Sequence, residues 1–425
     1  MSRAKGRLDE LRRPLRVRDF RLLWSAQVVS EVGDWSARIA LAALVFERTG
    51  SAAWTGAITA ASLAPWIGLA PFLAAAAERF PRKRVLLACD IGRALLFALI
   101  LAPVPLGVTF VAAIAAAMLA PPFTSARSAL LPDIVPENDF GAALSVAHMT
   151  TQVAQLTGFF IGGGLIGLLG PQGALAVNAA SFALSALFVA GLAGGRVAHG
   201  AAHGVLGRLR RATRFLWAER VVRRAVIVAA VAQLGAAVVE ALVVVDVQRH
   251  LDAPDMAIGI LSAALPIGFL ITMAVIRTDN GEAAALRQSA RLIVIGATIA
   301  IVGFAAQLPW PAAVLPYLGV GVMVTSLVPA NAVGTPRIPT EIRGSAIGVL
   351  QSTIIGSQAL GAILGGFIAA VWSVTAALTA AMVPCVLVAG YALLRPVETE
   401  PTDVAEADGE VALRTSQDTR PAPSS

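Results

Sequence analysis

Twelve mostly apolar stretches, each long enough to cross a bilayer, divide the chain at roughly 22–46, 53–77, 85–103, 107–126, 140–167, 173–194, 224–248, 257–276, 290–307, 311–334, 344–369 and 373–394. A spanning helix needs about 20 such residues. Because hydrocarbon offers no water to free backbone groups, a segment inside it must be a helix or part of a closed barrel. Pro121, Pro122, Pro266 and Pro329 lie within these stretches, which membrane helices tolerate because neighbours satisfy the freed groups. Composition agrees: 57% of residues are hydrophobic and 14% charged, against about 25% charged in soluble domains. The pattern predicts an all-α polytopic membrane protein with twelve transmembrane helices.

The distribution of Lys and Arg tests this map, because cytoplasmic loops collect positive charge. With the N-terminus inside, 29 basic residues fall on the cytoplasmic side and only Arg48 and Arg249 outside, while Arg38 and Arg93 lie within spans. The net charge of +7 is therefore a topology signal, and no nucleic-acid partner is expected. The basic N-terminal segment leads into a long span carrying charges, which does not fit a cleavable signal peptide. Cys89 and Cys385 both sit in apolar stretches and imply neither a disulfide framework nor a metal site.

The expected organisation is a basic cytoplasmic segment (1–21), a six-helix bundle (22–194), a basic cytoplasmic linker (195–223), a second six-helix bundle (224–394) and an acidic, disordered cytoplasmic tail (395–425). The two halves repeat. Shifted by 203 residues, 141–163 aligns with 344–366 at eight of 23 positions, including Gln155 with Gln358. Gly158, Gly162 and Gly163 align there with Gly361, Gly365 and Gly366. Small residues at this spacing let helix backbones approach closely, and the reading is plain packing or a sliding contact between halves. Two pseudo-symmetric six-helix bundles are the usual build of a secondary transporter, with the substrate site between them.

Ionisable groups at mid-bilayer cost roughly 2.5–3.5 kcal/mol on insertion scales and so mark candidate functional sites. Span one carries Gln27, Glu31, Asp34 and Arg38 within an arc of about 60°. This stripe must face protein or a water-filled path, and its two acids against one guanidinium leave one excess negative charge. A proton, a cation or a basic group elsewhere could balance it; the alternative is a structural ion pair. His148 and Gln155 on span five, Glu240 with Gln233 on span seven, and Gln358 on span eleven complete a candidate proton and substrate pathway. Asp90 and Arg93 could pair locally on span three, and Asp246 reads as interfacial.

Several segments resemble the major facilitator superfamily, in particular its drug, macrolide and enterobactin exporter branch: DFRLL at 19–23, Gly33-Asp34-Trp35, and PPFTSARSALLPDIVP at 121–136. AAAAERFPRKR at 74–84 resembles the superfamily's G-x-x-x-D-R-x-G-R-[RK] loop. Glu78 takes the acidic position and Arg79, Arg82 and Lys83 the basic ones, while Ala74 and Pro81 replace the glycines. The span-five glycines resemble the antiporter motif G-P-x-x-G-G, with Phe159 where that motif has proline. The resemblance implies alternating access by rocking halves. It also implies a cytoplasmic gating cluster in which Glu78 sits near Gly344 and Arg127 joins Arg79, Arg82 and Lys83.

No Walker A sequence is present, so the expected energy source is an ion gradient, most simply protons, with no cofactor. The combined expectation is a non-enzymatic, monomeric, multi-pass protein of the inner cell membrane with both termini cytoplasmic. It would export a small amphipathic or hydrophobic compound such as a drug, antibiotic or siderophore. An importer or lipid flippase on the same scaffold, and a non-transporting receptor or scaffold, are the alternatives.

Overall fold

The computed structural model describes residues 13–77, 79–136, 139–193, 205–276, 281–334, 337–339 and 342–394. Those residues form helices joined by short connections, and no strand occurs among them. Span one is one unbroken helix, Arg18–Thr49, closed by Gly50 in the left-handed conformation (φ 58°). Span two is split into Ala52–Leu63 and Ala70–Ala77, where Pro65 removes a backbone donor and Gly68 turns left-handed (φ 79°). Span three is Arg82–Leu101, and span four pairs Leu106–Met118 with Ala120–Ile134. Spans five and six run together as Phe140–Ala190 and break at Gly170 (φ 71°) beside Pro171.

In the second half, span seven is Arg220–Val245, extended by a π-turn, Asp246–His250. Met256–Val275 and Glu282–Ala305 are spans eight and nine. Val314–Val324 with Leu327–Gly334 makes span ten, and Arg343–Val371 and Val374–Leu394 are spans eleven and twelve. Among the described residues, eight helical stretches are long and apolar enough to cross a membrane. The Phe140–Ala190 stretch supplies two crossings, so these eight account for spans four to twelve. Spans one and three carry too many ionisable residues to qualify on composition, and span two is broken.

The segment 195–223 is more than a linker loop. Val205–Ala218 is a helix whose Ala212 and Leu216 pack with Val222 and Val226 of span seven and with Ile338 and Ala346, while Arg210, Arg211 and Arg214 sit on its other side. The apolar spacing of Ala212, Phe215 and Leu216 is that of one helix face.

The repeat governs how the bundles close. Within the first half, span five lies on span one. A Cβ on Gly158 would come within 2.6 Å of Trp35 Cβ, and one on Gly162 within 2.8 Å of Ser36 Cα. Ser36 Oγ donates to Gly158 O (2.8 Å) and Trp24 Nε1 to Thr150 Oγ1 (2.8 Å). In the second half, Gly361 faces the Leu234 carbonyl of span seven, and a Cβ on Gly365 would come within 2.6 Å of Val238 Cγ1. These four glycines therefore pack inside a half, contrary to a sliding role for the whole set. Of the six repeat glycines, Gly163 and Gly366 are the two that cross between halves. Gly163 lies against Gly259 of span eight, and Gly366 against Ala52 and Gly56 of span two. Gly56 with Gly259, and Gly163 with Gly366, are each 203 residues apart, so the two crossings are copies of one contact.

Both crossings lie at the ends carrying the short loops that are poor in Lys and Arg. There Arg249 also donates to the Gly50 carbonyl and stacks over Phe46 (5.0 Å) across the same divide. The division of labour predicts a split in mutant behaviour. Gly158→Leu and Gly361→Leu, which overpack a half at about 1–3 kcal/mol each, should lower the thermal midpoint of the purified protein. Gly163→Leu and Gly366→Leu should fold but fail to close this end. An impermeant maleimide should then label a cysteine placed at Ser51 faster than in the parent, with transport lost.

Candidate functional site

The charged groups of the span-one stripe do not form ion pairs with one another. Each member is answered from another helix, because a charge taken out of water needs a counter-charge within reach. Glu31 meets Arg127 (2.8 Å) and accepts from Gln27 Nε2 (3.0 Å), which also donates to the Ala147 carbonyl of span five (3.0 Å). Asp34 meets Arg93 (3.2 Å). Arg93 holds Asp90 (2.8 Å) with its other nitrogen, and Ser185 Oγ donates to the second Asp90 oxygen (2.6 Å). Phe182 and Phe123 cover the Arg93 guanidinium at 4.3 and 4.6 Å. Arg38 crosses to Glu240 of the second half (2.9 Å) and lies over Trp35 (4.6 Å).

Two expectations are thereby corrected. Arg38 is not the partner of Glu31 and Asp34. Arg127 is not grouped with the span-two loop either: it sits inside Ala120–Ile134 and faces span one. Of the loop's other basic residues, Arg82 pairs with Asp133, Lys83 Nζ donates to the Leu192 carbonyl (2.6 Å), and Arg79 is exposed. Glu78 and the His148 side chain lie outside the described residues. Asp246, at the end of span seven, is buried, accepting from Tyr317 Oη (2.8 Å) beside His250 (3.3 Å).

Two chambers meet at the middle of the protein. One, of about 340 Å³, lies among spans one to four and span eleven, with Glu31, Asp34, Trp35, Trp66, Arg93 and Phe97 in its wall. The other, of about 480 Å³, lies between the halves and is lined by Gln155, Phe159, Gln233, Phe269, Asn331 and Gln351 among others. Trp35, Arg38, Ile355 and Gln358 belong to both walls. The partition between the chambers is thus built around the Arg38–Glu240 pair. It is backed by Gln358, whose amide donates to Gln233 Oε1 (3.0 Å).

Exposure separates the acids. Asp90 is fully buried and Glu31 is 17% exposed, but Asp34 is 42% exposed and opens into the first chamber. Sequence reasoning missed the Asp34–Arg93 pair and the roles of Asn331, Gln351 and Trp66. The only available signal was a polar or amphipathic residue within a span, and that does not say which way it points.

A large central cavity between two repeated bundles is transporter geometry, and comparison with known proteins agrees. Residues 12–416 match the family described as "Transmembrane secretion effector". The chain belongs to this family of major facilitator superfamily transporters. An uncharacterized MFS-type transporter of Bacillus subtilis (strain 168), YfiS, is 27% identical over 168 residues, which is 39% of this chain and 40% of that protein's length. Among solved structures, an inward-facing, unoccupied bacterial homolog of the human lysosomal transporter Spinster matches with a TM-score of 0.70 at 13% identity, covering 96% of this chain and 99% of its own. The nucleoside transporter NupG matches with a TM-score of 0.65 at 16% identity, covering 88% and 96%. At such identities these structures share the fold. The family and these neighbours are transporters, not enzymes.

The partition makes a prediction specific to this superfamily member. Arg38→Glu and Glu240→Arg, each placing like charges face to face, should each abolish transport. The double exchange should restore part of it. A double-mutant cycle on transport rate, normalised to folded protein, measures the coupling.

Proposed function

We propose that the protein is a proton-coupled exporter of a small amphipathic compound, working by alternating access in the cell membrane with both termini in the cytoplasm. The observation that carries this reading is a charge imbalance at the cavity. Among the described residues around it, the acids Glu31, Asp34, Asp90 and Glu240 face only Arg38, Arg93 and Arg127. Glu31 and Glu240 each have a guanidinium to themselves, whereas Asp34 and Asp90 share Arg93. Asp90 is sealed in and held by Ser185 as well, so Asp34 is the acid that needs a further positive charge and can receive one from the cavity. A proton supplies that charge when no substrate is present.

The lining also supports the cycle. The halves are closed at the short-loop end, while the second chamber reaches the exposed Asn331 and Gln351 near the basic-loop end. With the basic loops in the cytoplasm, this is the state that loads substrate from inside. Parting of the twin glycine crossings, with closure of the basic-loop end, would then open the other side. The proton gradient is the energy source, and no cofactor takes part.

The test is accumulation of a panel of fluorescent amphipathic compounds in an efflux-deficient strain expressing the protein. At least one compound should accumulate less than in the control, with the difference removed by a proton uncoupler. Greater accumulation in expressing cells would reverse the direction. In the same assay, Asp34→Asn should abolish uphill transport and flatten its pH dependence, and Asp34→Glu should retain part of both. Uphill transport by Asp34→Asn with an unchanged pH profile would make Asp34 structural and leave the coupling role to Glu31, Glu240 or His148.

A further inference from the structure

The two chambers differ in chemistry. The first contains the shared Arg93 and the acid left short of a counter-charge, Asp34, beside the aromatic faces of Trp35, Trp66 and Phe97. The second is electrically balanced among the described residues, since the ionisable groups in its lining there, Arg38 and Glu240, neutralise each other. Instead it gathers five carboxamides: Gln155, Gln233, Asn331, Gln351 and Gln358. Gln233 and Gln358 spend one donor and one acceptor on each other. Gln155, Asn331 and Gln351 make no side-chain hydrogen bond to another described residue. A carboxamide offers two donors and an acceptor; Asn331 and Gln351 are exposed, so a ligand that takes up these groups displaces only water from them. Such a cluster suits a partner that also carries neutral donors and acceptors side by side, namely hydroxyls or amides. It does not suit a bare hydrocarbon or a second charge.

We infer that the cavity binds a two-part molecule: one cationic amine lodged against Asp34 in the aromatic first chamber, and a neutral hydroxyl- or amide-rich part lodged against the carboxamides of the second. The inference rests on the cavity being the path of the transported compound. The apolar middle of the ligand crosses the partition beside Trp35 and Ile355, which both chambers share. Its amine brings the positive charge that three guanidiniums do not supply to four carboxylates, so ligand and proton compete for one place. The cation meets an aromatic wall as well as a carboxylate, which favours an alkylated amine over a small inorganic ion.

The test is equilibrium dialysis against the protein in lipid nanodiscs, with empty nanodiscs subtracted and no gradient imposed. The probes are four amphipaths with the same alkyl chain. The first has a tertiary amine at one end and a gluconamide at the other. In the second, a neutral tert-butyl group replaces the amine, and in the third a carboxylate does. The fourth keeps the amine and replaces the gluconamide with a plain hydrocarbon. The amine–gluconamide should bind saturably and at least about tenfold more tightly than each of the others. Asp34→Asn should erase its advantage over the neutral analogue, and Asp34→Glu should restore it. Gln351→Leu with Asn331→Leu should erase its advantage over the hydrocarbon-ended amine alone. The inference is overturned if the neutral or carboxylate probe binds as well as the amine, if the gluconamide adds nothing, or if the amine–gluconamide shows no saturable binding. Because binding is read at equilibrium, a positive series stands even if export or proton coupling fails, and a negative one leaves both of those open.

Discussion

A carboxylate held inside a membrane protein must be answered by a positive charge, because the surrounding hydrocarbon offers no solvation. That requirement organises the centre of this transporter. Span one presents Glu31, Asp34 and Arg38, and the answers come from three directions: Arg127 of span four, Arg93 of span three and Glu240 of span seven. The three ion pairs therefore tie span one to its own bundle at two points and to the opposite bundle at one. The cross-bundle tie is also the wall between the two chambers. Any movement that separates the halves at this level has to break Arg38 from Glu240. Both groups already line the cavity, so water or a ligand there can take the place of the lost partner. The pair is thus suited to report whether the cavity is filled.

Around this charged centre the frame is made of close backbone contacts. Glycines at 158, 162, 361 and 365 seat spans five and eleven closely against spans one and seven within each bundle. The two crossings, Gly163 on Gly259 and Gly366 on Gly56, bring the bundles together with no side chain between the backbones. Contacts of this kind are held by dispersion, with few directional bonds to break. Strong ties at one level and weak, shape-dependent ties at another are what a two-state rocking element requires.

Much of this was legible in the sequence, and the reasons are physical. Bilayer thickness fixes span length, so twelve stretches and the break near Gly170 could be read from apolar runs alone. The 203-residue repeat singled out six glycines that sit in close helix contacts, because such a contact leaves a mark in residue size. It could not say which contact lies within a half and which lies between halves, since neighbouring positions such as Gly162 and Gly163 point to different helices. The stripe of span one was visible through its helical spacing. Its partners were not, since Arg93 and Arg127 reach Asp34 and Glu31 across 59 and 96 residues of chain. Local spacing favoured Arg38 as the partner, and the geometry sends Arg38 to the other bundle. The helix Val205–Ala218 was hidden by its own arginines, which made an amphipathic element read as a loop.

In the proposed cycle, the unmatched charge at the cavity is carried by a proton on Asp34. This can be tested without knowing the substrate. Infrared difference spectra of the membrane-reconstituted protein, recorded between acidic and alkaline buffer, resolve the carbonyl stretch of a protonated carboxylic acid. The account predicts such a band, reversible across the physiological range, that disappears in Asp34→Asn and persists in Glu31→Gln and Glu240→Gln. A band that survives in Asp34→Asn, or one lost instead in Glu31→Gln or Glu240→Gln, would contradict it.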